Sequence, residues 1–447
     1  MPLFTSTRSQ KSHADFRSLF SDSATPFFFV LLGYSVKYAY TILITRKLGS
    51  YAMGVFSLSF TVVQVSSVIA RLGVDSSLLR FISGFRSRKE DGRIKQLYLA
   101  GTFLVLSFGL LLSGLVYALS PWMATAVFKN PQMERAFHLA SLGIVPLSLL
   151  YVEIESLRGL GFIKLYAFFL HSSIFLCSCL MLLAFLLFSL ESYIPVAAFV
   201  AAVWLTLLLA KALFLVLFPF MSTTCQAAMP FMELIKNSLP LMLATSILLV
   251  MGWTDIIMLG MMTSANEVGV YHVVVKVASC AIIPAFAINA VATRKYAEYY
   301  ESGDIPGLLN FISQASRLFF YVSFPLVLIL GVFAPFVLSL FGRDFQLGSA
   351  ALRILLVGQF MPAFSGSIGN ILKMTNNQVP LQYCMVSALG INIILNALLI
   401  PRFGINGAAV ASALSATFWN VAGGVFFYRR YGVNSFYLPG LSRKASS

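Results

Sequence analysis

Charge is what this chain has least of. Asp, Glu, Lys and Arg supply 11% of its 447 residues, against about 25% in a soluble globular protein. Hydrophobic residues supply 59%, with a mean hydropathy of +0.86, so a polytopic membrane protein is expected rather than a soluble domain. Cysteine is scarce. Cys177, Cys179, Cys225, Cys280 and Cys384 are scattered in or beside apolar segments, and the first two point to different sides of a helix; neither a disulfide nor a metal role is expected. No G-x-x-x-x-G-K-[ST] loop occurs, which argues against direct ATP use. Acidic residues number 16 against 31 lysines and arginines.

What is abundant is long apolar sequence. A bilayer-crossing helix needs about 20 apolar residues, and twelve such segments can be placed. They run roughly over 26–45, 52–74, 97–120, 136–158, 165–189, 195–220, 239–261, 268–292, 318–341, 348–373, 379–401 and 407–428. Met1–Thr25, with Arg8, Lys11 and Arg17, is like the n-region of a signal peptide, but a full-length apolar run follows without a small-residue cleavage pattern. An uncleaved first helix is expected. With the N-terminus in the cytoplasm, 20 lysines and arginines fall on cytoplasmic segments and 7 on the far side. That bias is the positive-inside rule, and it places both termini in the cytoplasm. It also explains the net charge of +15 without nucleic acid. The densest cluster, RFISGFRSRKEDGRIK at 80–95, reads as a topology signal that touches anionic lipid head groups.

Two halves of the chain resemble each other. A shift of 215 residues aligns GVFSLSF (54–60) with GVYHVVV (269–275) and pairs Ala136 with Ala351, Gly143 with Gly358, Leu157 with Leu372 and Arg158 with Lys373. A looser match, IPVAAFVAA (194–202) with INGAAVASA (405–413), follows at a shift of 211. The expectation is an all-α membrane protein of twelve transmembrane helices in two six-helix lobes, related by a pseudo-twofold axis along the membrane normal. The segments are a cytoplasmic stretch 1–19, an N-lobe 20–222, a linker 223–229, a C-lobe 230–432 and a cytoplasmic tail 433–447. Polar stripes then mark the helix faces expected to line a cleft: Gly33, Lys37, Tyr40, Thr41 and Thr45; Ser57, Thr61, Gln64 and Arg71; His272, Lys276 and Ser279.

LITRKLGSYAMGVFSLSFTVVQVSSVIARLGVDSSLLRFIS (43–83) resembles the first signature of Wzx-type polysaccharide flippases, of the multidrug/oligosaccharidyl-lipid/polysaccharide exporter superfamily. Leu48-Gly49, Gly54 with Phe56, Leu72-Gly73 and the Leu-Leu-Arg at 78–80 carry the likeness. ILKMTNNQ (371–378) and INIILNALLIPRFGINGAAVASALS (391–415) resemble the C-terminal pattern, and LRGLGFIK (157–164) its first-half counterpart. The resemblance implies a transporter in the bacterial cytoplasmic membrane. It would move undecaprenyl-diphosphate-linked oligosaccharide to the outer leaflet by alternating access, alongside other polysaccharide-assembly proteins. The charged cavity residues vary within that family, so Lys37 and Lys276 carry over from no shared motif.

The residues add their own argument. A charge at mid-span costs about 2.5–3.5 kcal/mol on insertion scales, yet Lys37, Arg71, Lys211 and Lys276 all lie within spans. With His272 they form a candidate cationic site for the diphosphate, since lysine and arginine pair with phosphate oxygens. Internal alternatives stand beside this: a salt bridge for Lys37 or Lys276, interfacial snorkelling for Arg71, pairing of Lys211 with Glu153 or Glu155, and packing for His272. Asp255, with Asn392 and Asn396 at i and i+4, is the candidate site for a coupling ion, Na⁺ or H⁺; a salt bridge from Asp255 to Lys276 is the alternative. Two other functions are weighed. A multidrug antiporter would show acidic cleft residues. A membrane-embedded polymerase or ligase would need an outer loop with catalytic groups, but the longest, PWMATAVFKNPQMER (121–135), has no histidine and no paired carboxylates.

Overall fold

The structure, a computed structural model, describes the backbone of residues 6–218 and 231–432 together with Phe436. Side chains in its helices are described at Thr25 and from Phe28 onward, except 231–237, 239–246, 248, 283–287, 290 and 291. The expected linker 223–229, residues 1–5 and all but Phe436 of the tail 433–447 lie outside the described residues. What is described is helical, with no strand.

The helical run α1 (Ser6–Arg71) holds an apolar stretch, Phe28–Arg71, of 44 residues. At 1.5 Å per residue that is about 66 Å, twice the roughly 30 Å of bilayer hydrocarbon. Gly49 divides it: φ of 82° and ψ of −172° leave the helical region, a conformation that only glycine adopts without strain. The two arms fall where spans 26–45 and 52–74 are expected. Among the described residues nine helical stretches are long and apolar enough to cross a membrane. Expected span 239–261 falls on α8 (Phe231–Met262). Span 268–292 falls on α9 (Ala265–Ser279) and α10 (Ile283–Glu301), which are separated by a 3₁₀ turn, Cys280–Ile282; Pro284 stands in the first turn of α10, where a backbone donor is not needed.

Two compact units divide the chain: Met1–Lys47 with Val62–Leu243, and Leu48–Thr61 with Ala244–Ser447. In the first unit, α2 (Val74–Ser87) is amphipathic. Val74, Leu78 and Ile82 recur every four residues and are fully buried. They pack with Tyr98 of α3 (Asp91–Trp122), Ile154 and Leu157 of α4 (Glu134–Gly159) and Phe214 of α7 (Ile194–Leu217). Arg80, Arg86, Arg88 and Lys89, in or just after α2, remain exposed, as suits a helix at a charged interface. Along α7 the small Ala198, Ala202, Thr206 and Ala210 face inward together with Phe199, Val203 and Phe214, while Leu208, Leu209, Leu215 and Val216 face out at 50–79% exposure. The small residues let helix backbones approach between the buried rings.

In the second unit, Leu308, Ile312 and Phe319 of α11 (Ile305–Val332) pack with Tyr296, Ile368, Leu372, Leu381 and Phe427. A close helix crossing in this unit joins segments paired by the 215-residue shift. A Cβ on Gly54 would stand 1.8 Å from the Ala265 carbonyl oxygen, and one on Gly269 would stand 2.0 Å from that of Ser50. Those two glycines are 215 positions apart, and a turn beyond them Ser57 is hydrogen-bonded to His272, again 215 apart.

Candidate functional site

Asp255 is 4% exposed, on α8 in the second unit. Four uncharged groups surround its carboxylate. Asn392 Nδ2 (3.0 Å) and Asn396 Nδ2 (2.7 Å) donate to Oδ1; the Tyr271 hydroxyl (3.2 Å) and the Ser412 hydroxyl, in a very short contact, donate to Oδ2. The two asparagines lie one turn apart on α15 (Gln378–Phe403), Ser412 on α16 (Ile405–Tyr431) and Tyr271 on α9, so four helices meet at one acid. Asn396 Nδ2 also donates to Asn392 Oδ1 at 3.1 Å, leaving Asn396 Oδ1 buried and without a partner among the described residues. Asp255 makes no ion pair to Lys276; its partners are the neutral four. As placed, all four groups direct hydrogens at the carboxylate and stabilise its charge; the oxygens of the same side chains are hard ligands, of the kind that suits a hard cation rather than a soft metal. No group of three His, Cys, Asp or Glu side chains that could hold a metal ion occurs among the described residues.

In the same unit His272 is 8% exposed. Its Nδ1 lies 2.7 Å from Ser57 Oγ, and its Nε2 is buried without a partner among the described residues. Lys276, one turn further along α9, is half-buried.

The first unit holds the other three cations, in three different settings. The Lys37 ammonium lies over two rings, 5.6 Å from the centre of Tyr34 and 5.3 Å from that of Phe175. No carboxylate among the described residues pairs with it. An ammonium over aromatic faces keeps its charge available, because the rings stabilise it without neutralising it.

Arg71 is buried, at 6% exposure. It pairs with Asp75 at 2.9 Å, donates to the Ser67 carbonyl at 3.2 Å and stacks on Tyr151 at 3.8 Å. Lys211 lies 3.6 Å from Glu153, whereas Glu155 pairs with Arg158 at 3.4 Å; of the two acids considered for Lys211, Glu153 is the partner. Sequence reasoning thus grouped Asp255, Asn392 and Asn396 as they stand, and missed Tyr271 and Ser412. The only signal for those two was the general one that a hydroxyl on an apolar helix faces protein.

Two family profiles match the chain: "Polysaccharide biosynthesis protein" over residues 22–292 and MatE over residues 240–398. Among curated relatives, a probable low-salt glycan biosynthesis flippase, Agl15, of Haloferax volcanii is 26% identical over 164 residues, 36% of this chain and 35% of that protein. An uncharacterized membrane protein, MJ1068, of Methanocaldococcus jannaschii is 26% identical over 166 residues, 37% and 33% of the two chains. The match thus spans about a third of the length of these relatives. Among solved structures, lipid II flippase MurJ in an inward closed conformation aligns with a TM-score of 0.72 at 13% identity, covering 91% of this chain and 87% of its own. An inward-facing multidrug resistance MATE family transporter of the MOP superfamily aligns at 0.69 and 15%, covering 90% and 94%. At these identities the likeness is one of fold.

Proposed function

Because this chain belongs to the polysaccharide biosynthesis protein family, whose profile covers more than half of it, we propose that it is a carrier of lipid-diphosphate-linked oligosaccharide. The cargo is an undecaprenyl-diphosphate glycan, moved from the cytoplasmic to the outer leaflet of a bacterial cytoplasmic membrane. Transport proceeds by alternating access of two six-helix halves, twelve helices in all, with both termini in the cytoplasm. The observation that carries this reading is Lys37: an ammonium kept within an apolar span, over two aromatic rings and without a carboxylate among the described residues. A structural charge inside a membrane would be expected to have a neutralising partner, whereas a cation reserved for a phosphate would not. In the second unit, Lys276 and His272 are the cations that remain candidates for contact with the anionic cargo. Its lipid tail stays in the bilayer, so the only surface to be screened from hydrocarbon is the anionic head and its sugars.

Energy comes from a cation gradient through Asp255, whose oxygen-rich surroundings fit Na⁺ or H⁺ equally. For Na⁺, the asparagine amides would turn their oxygens inward; for H⁺, the carboxyl itself is the carrier.

The test is reconstitution into vesicles carrying a lipid-diphosphate-linked oligosaccharide, with leaflet exposure read by an added glycan-cleaving enzyme. Wild-type protein should translocate the glycan, and the Lys37→Ala, Lys276→Ala double variant should lose most of the rate at equal folded amount. Lys37→Arg should keep part of it, because charge rather than geometry binds the phosphate. Wild-type rates in the double variant would remove both lysines from cargo binding. Export of cationic drugs in place of glycan would instead favour the antiporter reading.

A further inference from the structure

Glu153 in α4 is 1% exposed, and the carrier reading leaves it unused. Tyr98 donates its hydroxyl to Oε1 at 2.5 Å, and Lys211 stands 3.6 Å from the same oxygen, a loose ion pair. Oε2 is buried and without a hydrogen-bond partner among the described residues. The side chain of Lys211 is 41% exposed, on the same outward face of α7 as Leu208 and Leu215, so one end of this pair is sealed and the other reaches the molecular surface, where a lipid-borne head group can meet it. On the elements packed against α4, the remaining titratable groups stand elsewhere. Asp75, Arg71 and Tyr166 gather about Glu155 and Arg158, and His171 stands near Lys37. Among the described residues only Tyr98 and Lys211 act on the Glu153 carboxyl.

We propose that Glu153 is a proton-binding site linked to anion capture by Lys211. While the ammonium stays close, the buried carboxylate has its counter-charge. When a phosphate of the cargo draws the Lys211 ammonium outward, the carboxylate would be left buried with a hydroxyl alone. Breaking a buried ion pair from one side is among the most unfavourable changes a protein undergoes. Glu153 therefore takes a proton from bulk water: hydronium and carboxylate become water and carboxylic acid. The new O–H lies on the Glu153 carboxyl, which now carries no charge, and Tyr98 goes on donating to Oε1. No covalent bond to the cargo forms or breaks. The site thus takes up one proton with each phosphate that Lys211 binds, and the net charge buried in the first unit stays unchanged.

This inference rests on the anionic-cargo reading, and the experiment separates the two. The probe is a short prenyl-diphosphate-linked sugar, a diester whose phosphates stay ionised throughout the titration. Binding to the purified full chain is followed by calorimetry in buffers of different ionisation heat, which counts protons taken up. The expected result is uptake approaching one proton per probe, with affinity strengthening as pH falls by up to about tenfold per unit. Glu153→Gln should bind with no uptake and a pH-independent affinity. Lys211→Met, in which Glu153 is already protonated, should bind more weakly and also without uptake; it serves if Glu153→Gln folds poorly. Wild-type binding with no proton uptake, or undiminished uptake in Glu153→Gln, would overturn the linkage and leave the carrier reading standing. No binding of the probe by the wild type would overturn both.

Discussion

Asp255 and Lys37 are opposite solutions to the same problem, a charge kept within an apolar helix. Asp255 is surrounded by four neutral donors from three other helices; Lys37, among the described residues, lies on the faces of Tyr34 and Phe175 and pairs with no carboxylate. Asp255→Asn should insert and fold, since the side chain keeps its shape. It turns an acceptor into a donor against existing donors, at a cost of about 1–3 kcal/mol in stability. Transport in vesicles should then lose its response to an imposed Na⁺ or proton gradient, and an unchanged response would take Asp255 out of the coupling role. Ser412→Ala removes a hydrogen bond to an ionised group, a contribution of about 1.5–3 kcal/mol. It should raise the cation concentration for half-maximal transport at least several-fold; identical saturation curves would show Ser412 to be idle. Neither Ser412 nor Tyr271 could be picked out beforehand. Most helical hydroxyls return to their own backbone four residues back, as Thr206 does to Ala202 and Ser415 to Ala411, and only the packed neighbours reveal an exception.

At the scale of the element, glycine decides where helices break and where they touch. Gly49 ends one arm of α1 and starts another, and Gly54 and Gly269 let two helices cross with their backbones in contact. Gly54→Ala puts a methyl group inside the Ala265 carbonyl, so the helices must separate, at a cost of about 1–3 kcal/mol typical of overpacking. Its melting temperature in detergent should fall, and more steeply than that of Gly84→Ala, where nothing lies within 4 Å of the added carbon. Equal melting of the two variants would mean that the crossing is loose. The polar stripe Ser57, Thr61, Gln64 and Arg71 was legible as one helical face, but its members divide by partner: Ser57 bonds His272, while Arg71 is held by Asp75 and Tyr151. Asp75 lies beyond Leu72 and Gly73, where φ turns positive. The helical periodicity read from sequence therefore could not carry across to it.

Over the whole molecule, orientation follows from where the basic residues stand relative to apolar runs. The proposed orientation puts the exposed arginines in and after α2, with Arg93 and Lys95 beyond them, on the cytoplasmic side, since translocation of a basic loop is disfavoured. Reporter fusions after Lys95 should read cytoplasmic and fusions after Lys129 external. A signal from outside at Lys95 would invert the topology, and with it the direction assigned to the carrier.

Membrane residence and all-helical class were determined by the sequence alone, because insertion depends on the length and apolarity of each segment and little on its neighbours. The 215-residue repeat was equally local to read, and Ser57 and His272, which it pairs, do meet. Tertiary structure alone decided which charges are neutralised. Arg71, Lys211 and Lys37 look alike along the chain, each a cation in an apolar run. Yet one is clamped by an aspartate a turn away, one leans on a buried glutamate of another helix, and one lies on aromatic faces. An ion pair requires about 4 Å between side chains, and for residues on different helices that distance is set by packing, which no spacing along the chain encodes.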